Sequence, residues 1–242
     1  MRVVIRASDV AAAIGLNRYK PASEVRDEIW KRYKPETFLT KTKTDEAQEA
    51  IGKSTEACAS LAQALSHRAK NSADAEVKFK EVEAKINSDS KLDATEKAKV
   101  IEYARSKVYT THGTRKEDQT ATLSDLKLER DNKKYTFHVA QIGDVEYVVV
   151  GMIDRLEILP DGSKTLVEIK NRMKCLFHTV REYEMCQVQM YLEMLDLENA
   201  KLIEQYNSQI EVHEIKRDRD FFNHTILYGL QTFCHELDSV LN

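Results

Sequence analysis

The chain has 242 residues, 42% of them hydrophobic, which is enough to bury a full core as one large domain or as one domain with an inserted lobe. Its 37 basic and 40 acidic side chains leave a formal net charge of -3, so no global basic field exists and any nucleic-acid contact must come from a local basic lining. Cys58, Cys175, Cys186 and Cys234 show neither a CxxC pair nor zinc-like spacing. Arg6, Ser8 and Asp9 interrupt any signal-like apolar run, and no stretch approaches the roughly 20 apolar residues of a membrane span. A cytoplasmic chain with free thiols and no membrane partner is expected.

Residues 7 to 14 are predicted to form a short helix that Ser8 or Asp9 caps and Gly15 stops. Pro21 opens the next helix, over residues 22 to 33, where Val25, Ile29 and Trp30 recur at helical spacing. From 38 to 110 there is no proline and no glycine but Gly52, and Ala, Lys and Glu abound, which predicts an all-helical elaboration with a turn near 87 to 93. The pattern turns strand-like at Tyr135, with runs YTFHVAQI, EYVVVGMIDRLEIL and KTLVEIK, the last two joined by a hairpin turn at Pro160-Asp161-Gly162-Ser163. A helix over about 182 to 195, strands near 200 to 206 and 209 to 216, and a final helix over about 219 to 240 complete a layered α/β class.

Side chains two apart in a strand share a face, so Glu168 and Lys170 of VEIK point to one side of their sheet while Ile169 points to the other. Pairing through the turn at 160 to 163 can bring Asp154 beside Glu168. Two carboxylates so placed repel each other unless a cation lies between them, and hard oxygen ligands suit Mg²⁺ or Mn²⁺, with the Ile169 carbonyl as a further ligand. Hydrolysis of a phosphodiester needs an activated water and relief of charge on the phosphate, and Lys170 would hold or help deprotonate that water. An E-x-K triplet is by itself commonplace on exposed hairpins. Asp154 is the more telling residue, because it interrupts the apolar run VVVGMIDRL, where an acid is costly to bury unless it is used.

Two further segments stand in order around these strands: a helix start at His112-Gly113-Thr114-Arg115-Lys116-Glu117, and CQVQMYLEML with Gln187, Gln189 and Tyr191. Together with the opening RASDVAAAIGLNRYKPASEV, this ordered set resembles the lambda exonuclease and YqaJ-like viral recombinase family of the PD-(D/E)XK nuclease superfamily. The resemblance implies a central mixed sheet flanked by helices in a single nuclease domain over 1 to 242, with 38 to 110 as its helical elaboration. It implies Asp154 and Glu168 as metal ligands, Lys170 as the catalytic lysine, Glu117 as a helix-borne acid that bonds water at the metal, Gln187 as an orienting residue, and Ser8 facing the 5′ end of the digested strand. The activity implied is Mg²⁺-dependent digestion of linear double-stranded DNA from 5′ ends for recombination, with a single-strand annealing protein as partner and a ring-like homotrimer as assembly.

The arginine that the family places before its Ala-Ser segment has no residue in register here, and Arg2 and Arg6 are the nearest. Arg172, Lys174 and Arg181 follow the E-x-K strand, where a DNA backbone would pass. The same metal site also serves endonucleases of restriction or junction-resolving type. A DNA-end-binding protein that has lost activity is the reading from a different class, and intact Asp154, Glu168 and Lys170 speak against it.

Overall fold

Val3 and Ile5 are buried between the exposed Arg2 and Arg6, an alternation that makes Arg2–Arg6 the first strand, β1, in the computed structural model. The structure describes residues 1–124 and 126–242. After β1 a 3-10 turn, Ala7–Asp9, leads into α1 (Val10–Ala13), and Gly15 at φ 80° ends it. Neither Ser8 nor Asp9 caps this helix through its side chain. The Asp9 carboxylate instead accepts from Arg6 and Lys20, charged partners that outbid a backbone amide. Pro21 stands at the N-cap of α2 (Ala22–Tyr33), which buries Val25 and Ile29.

The expected helical elaboration is built from α3 (Lys43–Lys53), α4 (Thr55–Ser66), α5 (Ser72–Ser88) and α6 (Ala94–Leu123). Thr42, Ser54, Asn71 and Asp93 cap them in turn, each side chain accepting from a backbone N–H in the first turn. Phe79, Val82, Ile86, Val100, Ala104 and Val108 form a core of their own between these helices. The turn between α5 and α6 falls where Asn, Ser and Asp predict it. His112 to Glu117, expected as a helix start, lies instead deep inside α6, because a lone Gly113 costs only about 1 kcal/mol and no proline stops the helix.

Strands β2 (Leu128–Glu129), β3 (Tyr135–Ile142), β4 (Val145–Gly151), β5 (Arg155–Ile158) and β6 (Lys164–Asn171) follow, then α7 (Glu182–Leu195), β7 (Asn199–Tyr206) and β8 (Gln209–Lys216). The chain closes with α8 (Arg219–Phe221), a π-helical turn over Phe222–Leu227, and α9 (Tyr228–Leu241). The architecture is mixed α/β. Its strands form two mixed ladders, β1-β4-β3 and β2-β5-β6-β7-β8, with β1∥β4 and β6∥β7 parallel and the other pairs antiparallel. The run 146 to 159, read as one strand, divides between the ladders at Met152–Asp154. Residues of β1, β4, α1, α7 and α9 share the largest core, while Val167, Ile169 and Ile203 on the other face of β6 and β7 pack near Ala121 of α6. Among the described residues, no helix is long and apolar enough to cross a membrane.

Candidate active site

The break between β4 and β5 is where the candidate site begins. Gly151 ends β4 with no room for a side chain: a Cβ there would lie 2.5 Å from the Tyr191 ring and 2.7 Å from Ala7 Cβ. The Tyr191 hydroxyl donates to the Met152 carbonyl at 2.8 Å, so α7 holds the segment that delivers Asp154. In the antiparallel register Arg155 faces Val167, and the next position places Asp154 opposite Glu168. Asp154 Oδ2 accepts from the Ile169 amide at 2.8 Å, which leaves Oδ1 for another partner.

Alternation along β6 puts Glu168 and Lys170 on one face, as the sequence predicts. Lys170 Nζ donates to Glu168 Oε1 at 2.7 Å and to Gln187 Oε1 of α7 at 3.2 Å. Glu168 is only 3% exposed, and its Oε2 is buried without a hydrogen-bond partner among the described residues. Burial, then the charge of Asp154, push the Glu168 carboxyl up to about 7 against the opposing pull of Lys170. Asp154 is raised by burial and by Glu117, and Glu117 by burial and by Glu168, which places all three carboxylates in one field. Burial works against the Lys170 ammonium, yet Glu168 and Asp154 hold its pKa above the ordinary value, so it stays protonated. A buried carboxylate oxygen without a donor among the described residues, opposite Asp154 and in the field of Glu117, fits a hard divalent cation. Asp154, Glu168 and the Ile169 carbonyl are the groups that could hold one.

Glu117 reaches the site on α6, which lies against the ends of β5 and β6. Arg155, 5% exposed, donates to the Asp154 carbonyl at 2.5 Å and to Asp118 of α6. Asn171 donates to the Gly113 carbonyl at 2.9 Å and accepts from Thr120 at 2.6 Å. Sequence reasoning singled out neither Arg155 nor Asn171. Nor is Gly113 a steric necessity, since a Cβ there would meet nothing within 4 Å.

The residues expected to grip DNA separate into two groups. Ser8, Lys174 and Arg181 are exposed, with the Arg181 guanidinium 4.6 Å above the Phe177 ring. Arg2 pairs with Glu146 at 3.3 Å, and Arg6 with Asp9 at 2.6 Å and Glu28 at 2.9 Å. Arg172 is the correction: it turns inward, buried, and its donors go to Glu184 and Glu204. Alternation explains this, because Arg172 continues the Glu168-Lys170 face toward α7. Gln189 is likewise buried, bracing the Lys216 carbonyl and the Asp218 amide. Glu204, Glu211 and His213 form a second group of ligand-type atoms, but both Glu204 oxygens are already taken, by Arg172 and by the Phe177 and His178 amides.

No protein-family model and no curated protein matches the chain. Among solved structures it is similar to an alkaline exonuclease (LHK-Exo) from Laribacter hongkongensis, at a TM-score of 0.43 and 14% identity over 82% of this chain and 94% of that one. It is similar to SSO0001 at a TM-score of 0.43 and 16% identity, over 69% of this chain and 86% of that one. A phage-related exonuclease from Haemophilus somnus gives a TM-score of 0.39 and 18% identity over 76% of this chain and 95% of that one. Likenesses at this level say nothing of chemistry.

Proposed function

We propose that the chain is a divalent-cation-dependent deoxyribonuclease that hydrolyses linear double-stranded DNA. The observation that carries this reading is the unpartnered, buried Glu168 Oε2 beside Asp154, with the Lys170 ammonium held between Glu168 and Gln187. When bound, Mg²⁺, or Mn²⁺ in its place, supplies Lewis acidity toward a phosphate oxygen and an attacking water. Asp154, Glu168 and the Ile169 carbonyl would hold it. Lys170, kept charged by its acidic neighbours, donates to the water and offsets charge growing on the phosphate rather than removing a proton. Glu117, whose burial makes it a better proton acceptor, bonds the water from the α6 side. Gln187 fixes the Lys170 rotamer.

The finer reading rests on the ordered motifs. It is a single nuclease domain with α3 to α6 as its elaboration, acting in the cytoplasm as a 5′-to-3′ exonuclease, with Ser8 toward the 5′ end, an annealing protein as partner and a homotrimer as assembly. Lys174 and Arg181 are the exposed cations offered to the DNA backbone.

The test is digestion of linear duplexes labelled at one 5′ end, with and without a 5′-phosphate, beside a covalently closed circle, in Mg²⁺ and in EDTA. Loss of the linear duplex alone, from its 5′ ends and only with Mg²⁺, is the expected result. A cut circle would mean an endonuclease, and intact DNA in every tube would leave only the end-binding protein.

The Glu168 carboxyl also predicts how stability follows pH. Its folded pKa of about 7 lies above its ordinary 4.5, so its contribution is complete below about 4.5 and is lost as pH rises through about 7. A cation that binds the ionised pair reverses this. Melting temperatures in EDTA and in Mg²⁺ should therefore diverge from pH 5 to pH 8, with Mg²⁺ the more stabilising at the higher pH. An equal gap at both would remove the carboxylates from the metal site.

A further inference from the structure

We infer that Asn171 is a positioning residue for this reaction: with Thr120 it sets the axial register of α6 against β6 and so fixes where Glu117 stands relative to Glu168 and Lys170. The inference rests on the proposed nuclease reading and adds residues that the reading does not use. Asn171 is the last residue of β6, next to Lys170, with its backbone held in register opposite Gln205 of the parallel β7. Its carboxamide offers a donor and an acceptor on two atoms of one carbon, and does not titrate at any pH where the enzyme would work. Both are used, and both on α6: Nδ2 donates to the Gly113 carbonyl at 2.9 Å, and Oδ1 accepts from Thr120 Oγ1 at 2.6 Å.

Gly113 and Thr120 lie two helical turns apart on one stripe, and Glu117, four residues after the first and three before the second, shares their side of the helix. Sliding α6 by a single residue would move Glu117 by about 1.5 Å along the axis and break both bonds at once. Thr120 is 1% exposed, so water cannot readily replace the lost partner. Arg155 binds Asp118 on the other flank of Glu117, which leaves the acid on a turn held from both β5 and β6. The N-terminal part of the same helix is buried in the core of the lobe through Val100, Ala104 and Val108. Asn171 is thus the polar link from α6 to β6 beside Lys170, within a seam that Arg155–Asp118 and the packing of Ala121 against Val167 and Ile169 also hold.

The experiment compares the full-length protein with Asn171→Ala, Thr120→Val, Thr120→Ser, the double variant Asn171→Ala/Thr120→Val, and Lys170→Ala as the inactive reference. Each is assayed on linear duplex, well below its measured melting temperature, for kcat, for KM toward DNA and for the Mg²⁺ concentration at half-maximal rate. Asn171→Ala and Thr120→Val are expected to lower kcat by about 10- to 100-fold, the range for groups that orient a metal site from behind, and to raise the Mg²⁺ requirement, with KM for DNA within about twofold. Thr120→Ser keeps the hydroxyl and should stay near the parent enzyme. The double variant should be no worse than Asn171→Ala, since both remove one connection. A kcat within about twofold of the parent in Asn171→Ala, an equal loss in Thr120→Ser, or multiplying losses in the double variant would each overturn the inference while leaving the nuclease reading intact. Should Asn171→Ala fail to fold, the near-isosteric Thr120→Val decides alone. If the parent protein itself cleaves no more than Lys170→Ala, the reading of the site falls and this inference with it.

Discussion

Lys170→Ala is expected to lower cleavage by on the order of 10³-fold or more while the protein still folds and still binds duplex ends. Among the described residues the ammonium is the one positive charge that bonds Glu168 directly, and it is held in place from the opposite side by Gln187. Removing it leaves Asp154, Glu168 and Glu117 in place, so the proposed cation ligands survive. On that proposal, what goes is the donor that would orient the water and answer the charge of the phosphate. Lys170→Arg should not restore the rate, because a planar guanidinium cannot occupy the short span between the Glu168 and Gln187 oxygens as a compact ammonium does. Single-turnover digestion of a labelled duplex, beside a binding measurement on the same DNA, separates the two effects. Asp154→Asn should fail differently, by losing the cation: its rate should recover in part with excess Mn²⁺, whereas that of Lys170→Ala should not. Cleavage by Lys170→Ala at the parental rate would remove the assignment of this centre altogether.

The groups that make this centre were legible in the sequence to the extent that they obey period-two alternation and local cost. Asp154 stood out as an acid in an apolar run, and Glu168 and Lys170 as neighbours on one strand face. Glu204 carries the same signal, an acid within KLIEQY, and could have been found by the same reasoning. Continuing the alternation past Lys170 would have sent Arg172 toward it rather than toward DNA. The helices of the lobe announce themselves through Ser54, Asn71 and Asp93, because capping is a local event. The break at Met152–Asp154 does not. Gly151 is its one local mark, and what the sequence does not show is the approach of Tyr191, forty residues further on, that leaves no room there for a side chain. Glu117 presents a similar case: its helix could be read, but where that helix sits against β5 and β6 involves tertiary bonds from Arg155 and Asn171 that no window of sequence contains.

The second large effect concerns the fold beneath the site. Arg172→Ala is expected to destabilise the protein by about 3–5 kcal/mol, the cost of removing one partner from a buried ionic group. Arg172 is 9% exposed, Glu184 2% and Glu204 0%, and the guanidinium bonds both carboxylates while lying 4.0 Å from the centre of the Phe177 ring. Without it, two acids remain buried and must either protonate or draw in water. Burial pushes Glu204 up, but Arg172 and the Phe177 and His178 amides hold it below the ordinary carboxylate value; the variant loses the larger part of that support. The damage should spread to catalysis by a defined route, since Glu184 sits in the first turn of α7, one turn before Gln187. Denaturant unfolding measures the first effect. Replacing Arg172, Glu184 and Glu204 together by apolar residues of similar volume separates charge from packing: it should recover most of the stability lost in Arg172→Ala, because no buried charge is then left without its partner. An Arg172→Ala variant within about 1 kcal/mol of the parent would mean that the carboxylates find water or each other's proton, and that α7 is held to β6 without the Arg172 ion pairs.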